Sequence, residues 1–486
     1  MTRAQSFMTK FNQPTWLFSV LGGIYLIFWG IIGHDPFFGD AISTVSRCAL
    51  NIFDNNFTVL TYPKGLDPGH PTTFPILYAL IWKVVGLGLW QSHLINVLFS
   101  FGIVFRVVQW LRYEGVKYVW LGPLLLFLTV QFVAQSALMN THLPLTFFVI
   151  SVAWSIKTGR AVTATIWAVC LVLTHLQGLY YFLPMLVWAW FIQSGNVRER
   201  LQFLWPIMLF PLLAFLGWAA YHHGQTGWWI SSPDYAAHRG TPDIKGIIRN
   251  LILSDWRISD YGQIALFIVP FFVMWKRRFR FNYDHALILF AFLYVFNAVA
   301  IAITTHTGPA HRYVFPAIPF LILATAEHLP EFKWRTWIAV FGILASGYVW
   351  FYPGKTLGDS TLTYRQLFPI LNELKSDYPS DTIYTYAPVG NYSRSMYLAD
   401  EVVNTAPLYN RDKDSCRFIL SGNLIGDFAP EELDSLRISW SVTSFERGNA
   451  WFELYQNPKF GRFPIEHPRE KSSAEIWMEK LKSKLK

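Results

Sequence analysis

The chain has 486 residues and a net charge of +9; 53% of it is hydrophobic and 18% aromatic, but only 15% is charged. A soluble domain is nearer a quarter charged, and here the apolar residues come in long runs, which excludes an ordinary soluble protein and points to a polytopic membrane protein. The positive balance does not imply nucleic acid, because the basic residues stand between apolar segments, where they fix orientation. Cys48, Cys170 and Cys416 are too widely spaced for a metal motif or a disulfide framework.

The N-terminal MTRAQSFMTKFNQ is basic and could imitate a signal peptide. The apolar stretch 16–32 is followed by no small-residue cleavage site, so it is expected to be a retained helix. About eleven spans are predicted from apolar runs, near 16–32, 92–111, 118–137, 142–156, 161–175, 178–193, 202–220, 263–275, 285–304, 313–328 and 336–352. Several are shorter than the ~20 residues of an upright membrane helix.

The short loops alternate in charge. One set holds Arg112 and Lys117, Lys157 and Arg160, Arg198 and Arg200, Lys276 to Arg280, and Lys333 and Arg335. The other set, around 138–141, 176–177 and 305–310, has neither Lys nor Arg. The first set is expected in the cytoplasm, together with the N-terminus. The loops 33–91 and 221–262 and the tail from about 353 then lie outside. Long loops translocate whatever their charge, so Lys64 or Arg257 does not oppose this. The segments 41–53 and 74–88 read as amphipathic helices on the outer membrane surface. Taking 74–89 as a span would reverse every loop after it.

The tail 354–486 is polar and mixed in charge. Leu362 to Leu374 has helical periodicity; Thr382 to Ala387, Phe418 to Leu420, Ile438 to Phe445 and Trp451 to Leu454 read as strands. The predicted fold class is therefore a polytopic α-helical membrane protein, residues 1–353, with a small extracytoplasmic α/β domain in 354–486. That domain is expected to span roughly ninety residues, with a polar helical extension over 470–486.

The chemistry is expected at the outer surface. The loop 33–75 gathers Asp35, Asp40, Asp54, Asp67, His34 and His70. A carboxylate there can act as a general base or hold a cation. Asp40, after Phe38-Gly39 and before an amphipathic helix, is the leading candidate; it reads equally well as that helix's N-cap. Asp67 and His70 lie in DPGHPTTFP, a turn stiffened by glycine and prolines. That turn could bind a metal or a sugar hydroxyl, or simply lead into the second surface helix. Asp35, before Pro36, reads as a turn residue.

The second outer loop holds His222, His223, Trp228, Trp229, Tyr235 and His238, where aromatics stack on sugars or form an interfacial belt. His175, beside Thr174 and Gln177, sits at the outer end of a span. His311, Arg312 and Tyr313 open another span. An arginine at that depth is costly without a partner, and its planar fork suits a phosphate; the alternative is snorkelling to headgroups.

Three features occur in a set order: an acid early in the first outer loop (Asp40), the His70-Pro71 turn before a surface helix, and Arg312-Tyr313-x-x-Pro316-x-x-Pro319. Together they resemble the GT-C membrane glycosyltransferases, in the branch of the bacterial protein mannosyltransferases and aminoarabinose transferases, over about residues 16–350. The resemblance implies an enzyme that moves a sugar from a polyprenyl-phosphate carrier to a protein, lipid or glycan acceptor outside the cytoplasmic membrane, with inversion. It implies Asp40 as the first-loop acid. The family's following Glu is replaced by Ala41, which leaves Asp35 or Asp67 to supply a second acid. His70 stands where many members have a Lys-Pro-Pro or His-Pro-Pro turn, and Lys64 is expected to compensate on the phosphate beside Arg312, Tyr313 and His311. His175 and Trp228 complete the expected substrate contacts. No definite cofactor or metal site is implied, and a divalent cation is compatible with the acids. Membrane lipids are expected partners and nucleic acid is not. Two other classes remain in view: a transporter or flippase of lipid-linked sugars, which would carry ionisable groups at the membrane midplane, and a non-catalytic partner in surface-polysaccharide assembly.

Overall fold

A computed structural model describes residues 14–35, 37, 41–63, 67–233, 240–278, 282, 285–306, 308–351, 376–385, 398, 404–407, 412–422, 430–447 and 450–461. Asp40, Lys64, Tyr235, His238, the expected helix 362–374 and the extension 470–486 lie outside them.

The chain is mostly helical. Helix α1 (Pro14–Ile32) is followed by a π-helical turn (Ala41–Ser46) that runs into α2 (Arg47–Asp54). Helices α3 (Thr73–Val85) and α4 (Leu89–Tyr113) come next. The expected span 118–137 is instead two helices, α5 (Leu121–Leu128) and α6 (Val130–Ser136). The break is at Thr129, whose backbone is extended (ψ 103°) and whose hydroxyl donates to the Leu125 carbonyl at 2.8 Å. A buried Thr that satisfies its own hydroxyl on the preceding turn competes with helix continuation.

Then follow α7 (His142–Lys157), α8 (Ala161–Val172), α9 (Gln177–Ile192), α10 (Val197–Thr226), α11 (Ile244–Ser259), α12 (Ala265–Lys276) and α13 (Ala286–Thr304). The short α14 (His311–Val314) leads through a 3-10 turn into α15 (Ile318–His328), and α16 (Trp334–Phe351) closes the bundle. Among the described residues, four helical stretches are long and apolar enough to cross a membrane: Leu89–Tyr113, Val197–Thr226, Ala286–Thr304 and His311–Glu331. Helix α3 has 13 residues, roughly 20 Å of rise, which is too short to cross a ~30 Å hydrocarbon core.

Packing confirms the apolar surroundings. Helix α11 buries Asn250 and Ser254 while it exposes Ile244, Ile248, Ile252 and Trp256. An apolar stripe at helical spacing that faces outward, with polar groups inward, inverts the pattern of a soluble helix. Helix α10 likewise exposes Leu201, Trp205, Met208, Leu212 and Leu216. The molecule is an integral membrane protein. Two charged residues lie inside predicted spans, Arg106 and Glu327; Arg106 of α4 donates to Gln109 Oε1 at 2.8 Å and to Ser151 Oγ at 3.2 Å.

Two helices change the expected loop 221–262. Helix α10 starts on a capping box between Asn196 and Glu199 and runs to Thr226, ending on Gly227 at φ +84°. Helix α11 lies wholly inside the expected loop; Asp243 caps it by accepting from the Gly246 N–H at 2.8 Å.

In the tail, β1 (Thr382–Thr385), β2 (Asn404–Pro407), β3 (Phe418–Gly422), β4 (Ser441–Arg447) and β5 (Ala450–Gln456) form one sheet in the order β2-β1-β3-β5-β4. Strands β2 and β3 run parallel to β1, whereas β5 is antiparallel to both β3 and β4. Strand β2 was not expected from the sequence, and Ile438 belongs to a helix, α17 (Pro430–Ser439), rather than to a strand.

Candidate functional site at the acid-loop end

The loop that holds Asp67 is stitched to the end of α10. Asp67 is fully buried. Its Oδ1 accepts from the Gly69 N–H at 2.8 Å, an Asx turn of the kind expected at Asp-Pro-Gly. Its Oδ2 accepts from His222 Nε2 at 2.7 Å and from Trp228 Nε1 at 2.5 Å. The Asp67 carbonyl takes the Ser232 N–H at 3.3 Å. Gly69 has φ +75°, and a Cβ there would sit 2.4 Å from the Ile230 carbonyl oxygen. Only glycine permits that approach. Asp67 and Trp228, both expected at the site, therefore meet directly, with His222 on the same carboxylate oxygen.

His70 lies on the other side of this turn. Its ring centroid is 3.6 Å from that of His175. His175 lies 4.9 Å from His142, and His142 lies 5.7 Å from Tyr313. Four rings thus run in a row from the first loop to the Arg312-Tyr313 segment. Helix starts hold two of them. Asn140 Oδ1 accepts from the N–H groups of His142 and Leu143 at 2.8 and 3.1 Å. His175 Nδ1 accepts from the Gln177 N–H at 3.1 Å.

The Arg312 backbone is pinned on both sides. The Tyr313 carbonyl accepts from Gln177 Nε2 at 2.6 Å, Tyr181 Oη at 2.7 Å and Asn297 Nδ2 at 2.9 Å. The His311 carbonyl accepts from Gln131 Nε2, which is itself held by Gln263. His311 Nε2 faces Asp260 Oδ2 at 3.1 Å, and the Tyr261 ring lies 5.0 Å away. Burial, reinforced by Asp260 and opposed by Arg257, pushes the Tyr261 phenol up to about 12, so it stays protonated at physiological pH. Arg312 itself is half-buried, its guanidinium 5.3 Å from the Tyr313 ring centroid.

The arrangement thus joins Asp67, His70, His175, Trp228, His311, Arg312 and Tyr313 into one continuous wall. Asp35 is buried, and its carbonyl faces His93 Nε2 at 2.8 Å; none of these contacts joins it to that wall. His142, Gln177, Tyr181, Asn297, Gln131 and Asp260 were not foreseen as parts of it. Their only sequence signal is that each is polar within or beside an apolar run.

No protein-family profile matches the sequence, and no curated protein matches it. Two solved structures share its fold. One is ArnT from Cupriavidus metallidurans bound to undecaprenyl phosphate, at 14% identity and a TM-score of 0.58, covering 93% of this chain and all of that one. The other is the same organism's ArnT in the apo state, at 12% identity and a TM-score of 0.55, covering 93% of this chain and 99% of that one. The chain shares the fold of ArnT. This agrees with the resemblance drawn from the Asp40, His70-Pro71 and Arg312-Tyr313 motifs.

Proposed function

We propose that the protein is a membrane glycosyltransferase that takes a sugar from a polyprenyl-phosphate carrier and transfers it to an acceptor hydroxyl outside the cytoplasmic membrane. The observation that carries this reading is the wall just described, on a fold whose crystal relative holds undecaprenyl phosphate. A continuous row of rings leads from the first loop to an arginine whose own backbone is fixed by neutral donors.

In this reading the acceptor oxygen attacks the anomeric carbon and the carbon–phosphate oxygen bond breaks. The electron pair leaves on the carrier phosphate, and the configuration inverts. Arg312, joined by Lys64 and His311, takes up the charge developing on the leaving phosphate. Asp40, directly before the Ala41–Ser46 turn, takes the acceptor's proton. Asp67 was expected among the acids. Its two oxygens already accept from three donors, so we assign it to holding the first loop against α10, not to proton transfer. Residues 1–353 form the catalytic unit in this account and 354–486 an outer unit, with the N-terminus in the cytoplasm.

The test uses purified protein and a labelled polyprenyl-phosphate sugar. Asn caps a helix as well as Asp does, so Asp40→Asn separates a base from a cap. Loss of about 10²–10⁴-fold in turnover is the expected result for a base; near wild-type transfer would remove Asp40 from the mechanism.

A further inference from the structure

At the opposite end of the bundle, among the basic loops, His285, Glu327 and His328 stand together. His285 caps α13, and Glu327 and His328 end α15. None of the three belongs to the wall around Arg312. We propose that they form a site for a single divalent transition-metal ion of the zinc type.

The geometry suits such an ion. The two Nε2 atoms are 3.0 Å apart. Glu327 places one oxygen 3.4 Å from His285 Nε2 and the other 3.8 Å from His328 Nε2. Ligand atoms at 2.0–2.1 Å from a tetrahedral zinc stand roughly 3.3–3.4 Å from one another, so the observed separations bracket that edge. The imidazole planes are within 7° of parallel and their centroids are 5.2 Å apart. Two imidazoles and a carboxylate, with a fourth position left to water, are a familiar zinc donor set.

A further carboxylate completes the set. His328 Nδ1 faces Glu331 Oε1 at 2.8 Å. That bond puts the hydrogen on Nδ1, leaves Nε2 as a lone pair, and makes the ring a better ligand. Glu331 is in turn 3.5 Å from Arg277. Two positive charges oppose a cation: Arg277, which is turned to Glu331, and Lys157, whose charge acts on Glu327 and whose ammonium pairs with Glu114 at 2.6 Å.

His285 needs one adjustment. Its Nδ1 accepts the Leu287 N–H at 3.1 Å, so in the metal-free chain its Nε2 carries the hydrogen and donates it to His328 Nε2. Binding a metal moves that hydrogen to Nδ1 and gives up one cap bond while three metal–ligand bonds form. The same site is then a hydrogen-bonded histidine pair without metal and a clamp between α13 and α15 with it.

The test takes full-length protein in detergent, stripped with a chelator, and titrates it with Zn²⁺ by calorimetry; Co²⁺ is added separately and its visible spectrum recorded. One tight Zn²⁺ per chain and the intense bands of tetrahedral Co²⁺ are expected. His285→Asn keeps the helix cap but removes the ligand, and is expected to abolish both signals, as is His328→Gln. Glu331→Gln is expected to weaken Zn²⁺ by about 10–100-fold. Zn²⁺ bound equally by wild type and His285→Asn would overturn the proposal. So would no stoichiometric uptake by wild type, which leaves the hydrogen-bonded pair alone, and so would loss of the ion on His175→Gln, which moves the site to the other end. Should His328→Gln not fold, His285→Asn decides.

Discussion

Helices α13 and α15 run between two polar clusters that are built on different chemistry. At the acid-loop end, the segment before α15 is held by Gln177, Asn297, Tyr181 and Gln131, all donating to the backbone carbonyls that flank Arg312. At the basic-loop end, the same two helices meet through His285, Glu327, His328 and Glu331. Neutral amides and a phenol hydroxyl fix a backbone without supplying a counter-charge. In the proposed reading the guanidinium stands in a frame that stays put when the carrier phosphate's charge arrives, the preorganisation that electrostatic catalysis needs. Imidazoles and carboxylates at the far end make that junction answer to protons and metal instead.

Four substitutions sharpen or break this contrast. The largest expected effect is on chemistry: Asp40→Asn should lower turnover by about 10²–10⁴-fold while the chain still reaches the membrane, measured as labelled-sugar transfer. Next is Asp67→Ala, which leaves His222, Trp228 and the Gly69 N–H without their buried acceptor. It should cost about 2–5 kcal/mol, read as a fall in the thermal midpoint in detergent. An unchanged midpoint would mean that the loop is held elsewhere.

Arg312→Lys keeps the charge but loses the planar fork. Hydrogen bonds to charged groups are worth about 1.5–3 kcal/mol, so donor affinity should fall by roughly 10–100-fold, seen as a raised KM for the lipid-linked sugar. Asn297→Ala is the mildest. The Tyr313 carbonyl keeps Gln177 and Tyr181 as donors, so the loss should be about 1 kcal/mol, with donor binding weakened several-fold and unaffected by pH between mild acid and mild base. A strong pH dependence in that variant would contradict the neutral-frame account.

Much of the fold was legible because membrane burial writes itself as apolar runs: 16–32, 92–111 and 142–156 fall on helices, and the expected 161–175 and 285–304 are helical over 161–172 and 286–304. The break at Thr129 was not, since a single hydroxyl turning back on Leu125 leaves no mark in hydropathy. Helix α11 was missed because its apolar residues face out and its polar ones in, so its window averages to a loop. Strand β2, Asn404–Pro407, has neither alternation nor β-branched content beyond Thr405. The site was legible only in part. Arg312, His70 and Asp67 stand out as polar residues in stiff Pro- or Gly-rich contexts. The partner of Asp67 is His222, 155 positions away, and the Tyr313 carbonyl is met by Gln177, 136 positions away. A single polar residue in an apolar helix announces that it has a partner, but only the packing says which one. His285 and His328 were passed over for the same reason, each being a lone histidine at a helix end.

The most direct measurement is equilibrium binding of a sugar-free polyprenyl phosphate to purified protein. The account predicts saturable binding by wild type, loss of that binding in Arg312→Ala, and binding by His285→Asn equal to wild type. Undiminished binding by Arg312→Ala would contradict the claim that the carrier phosphate is held at the acid-loop end.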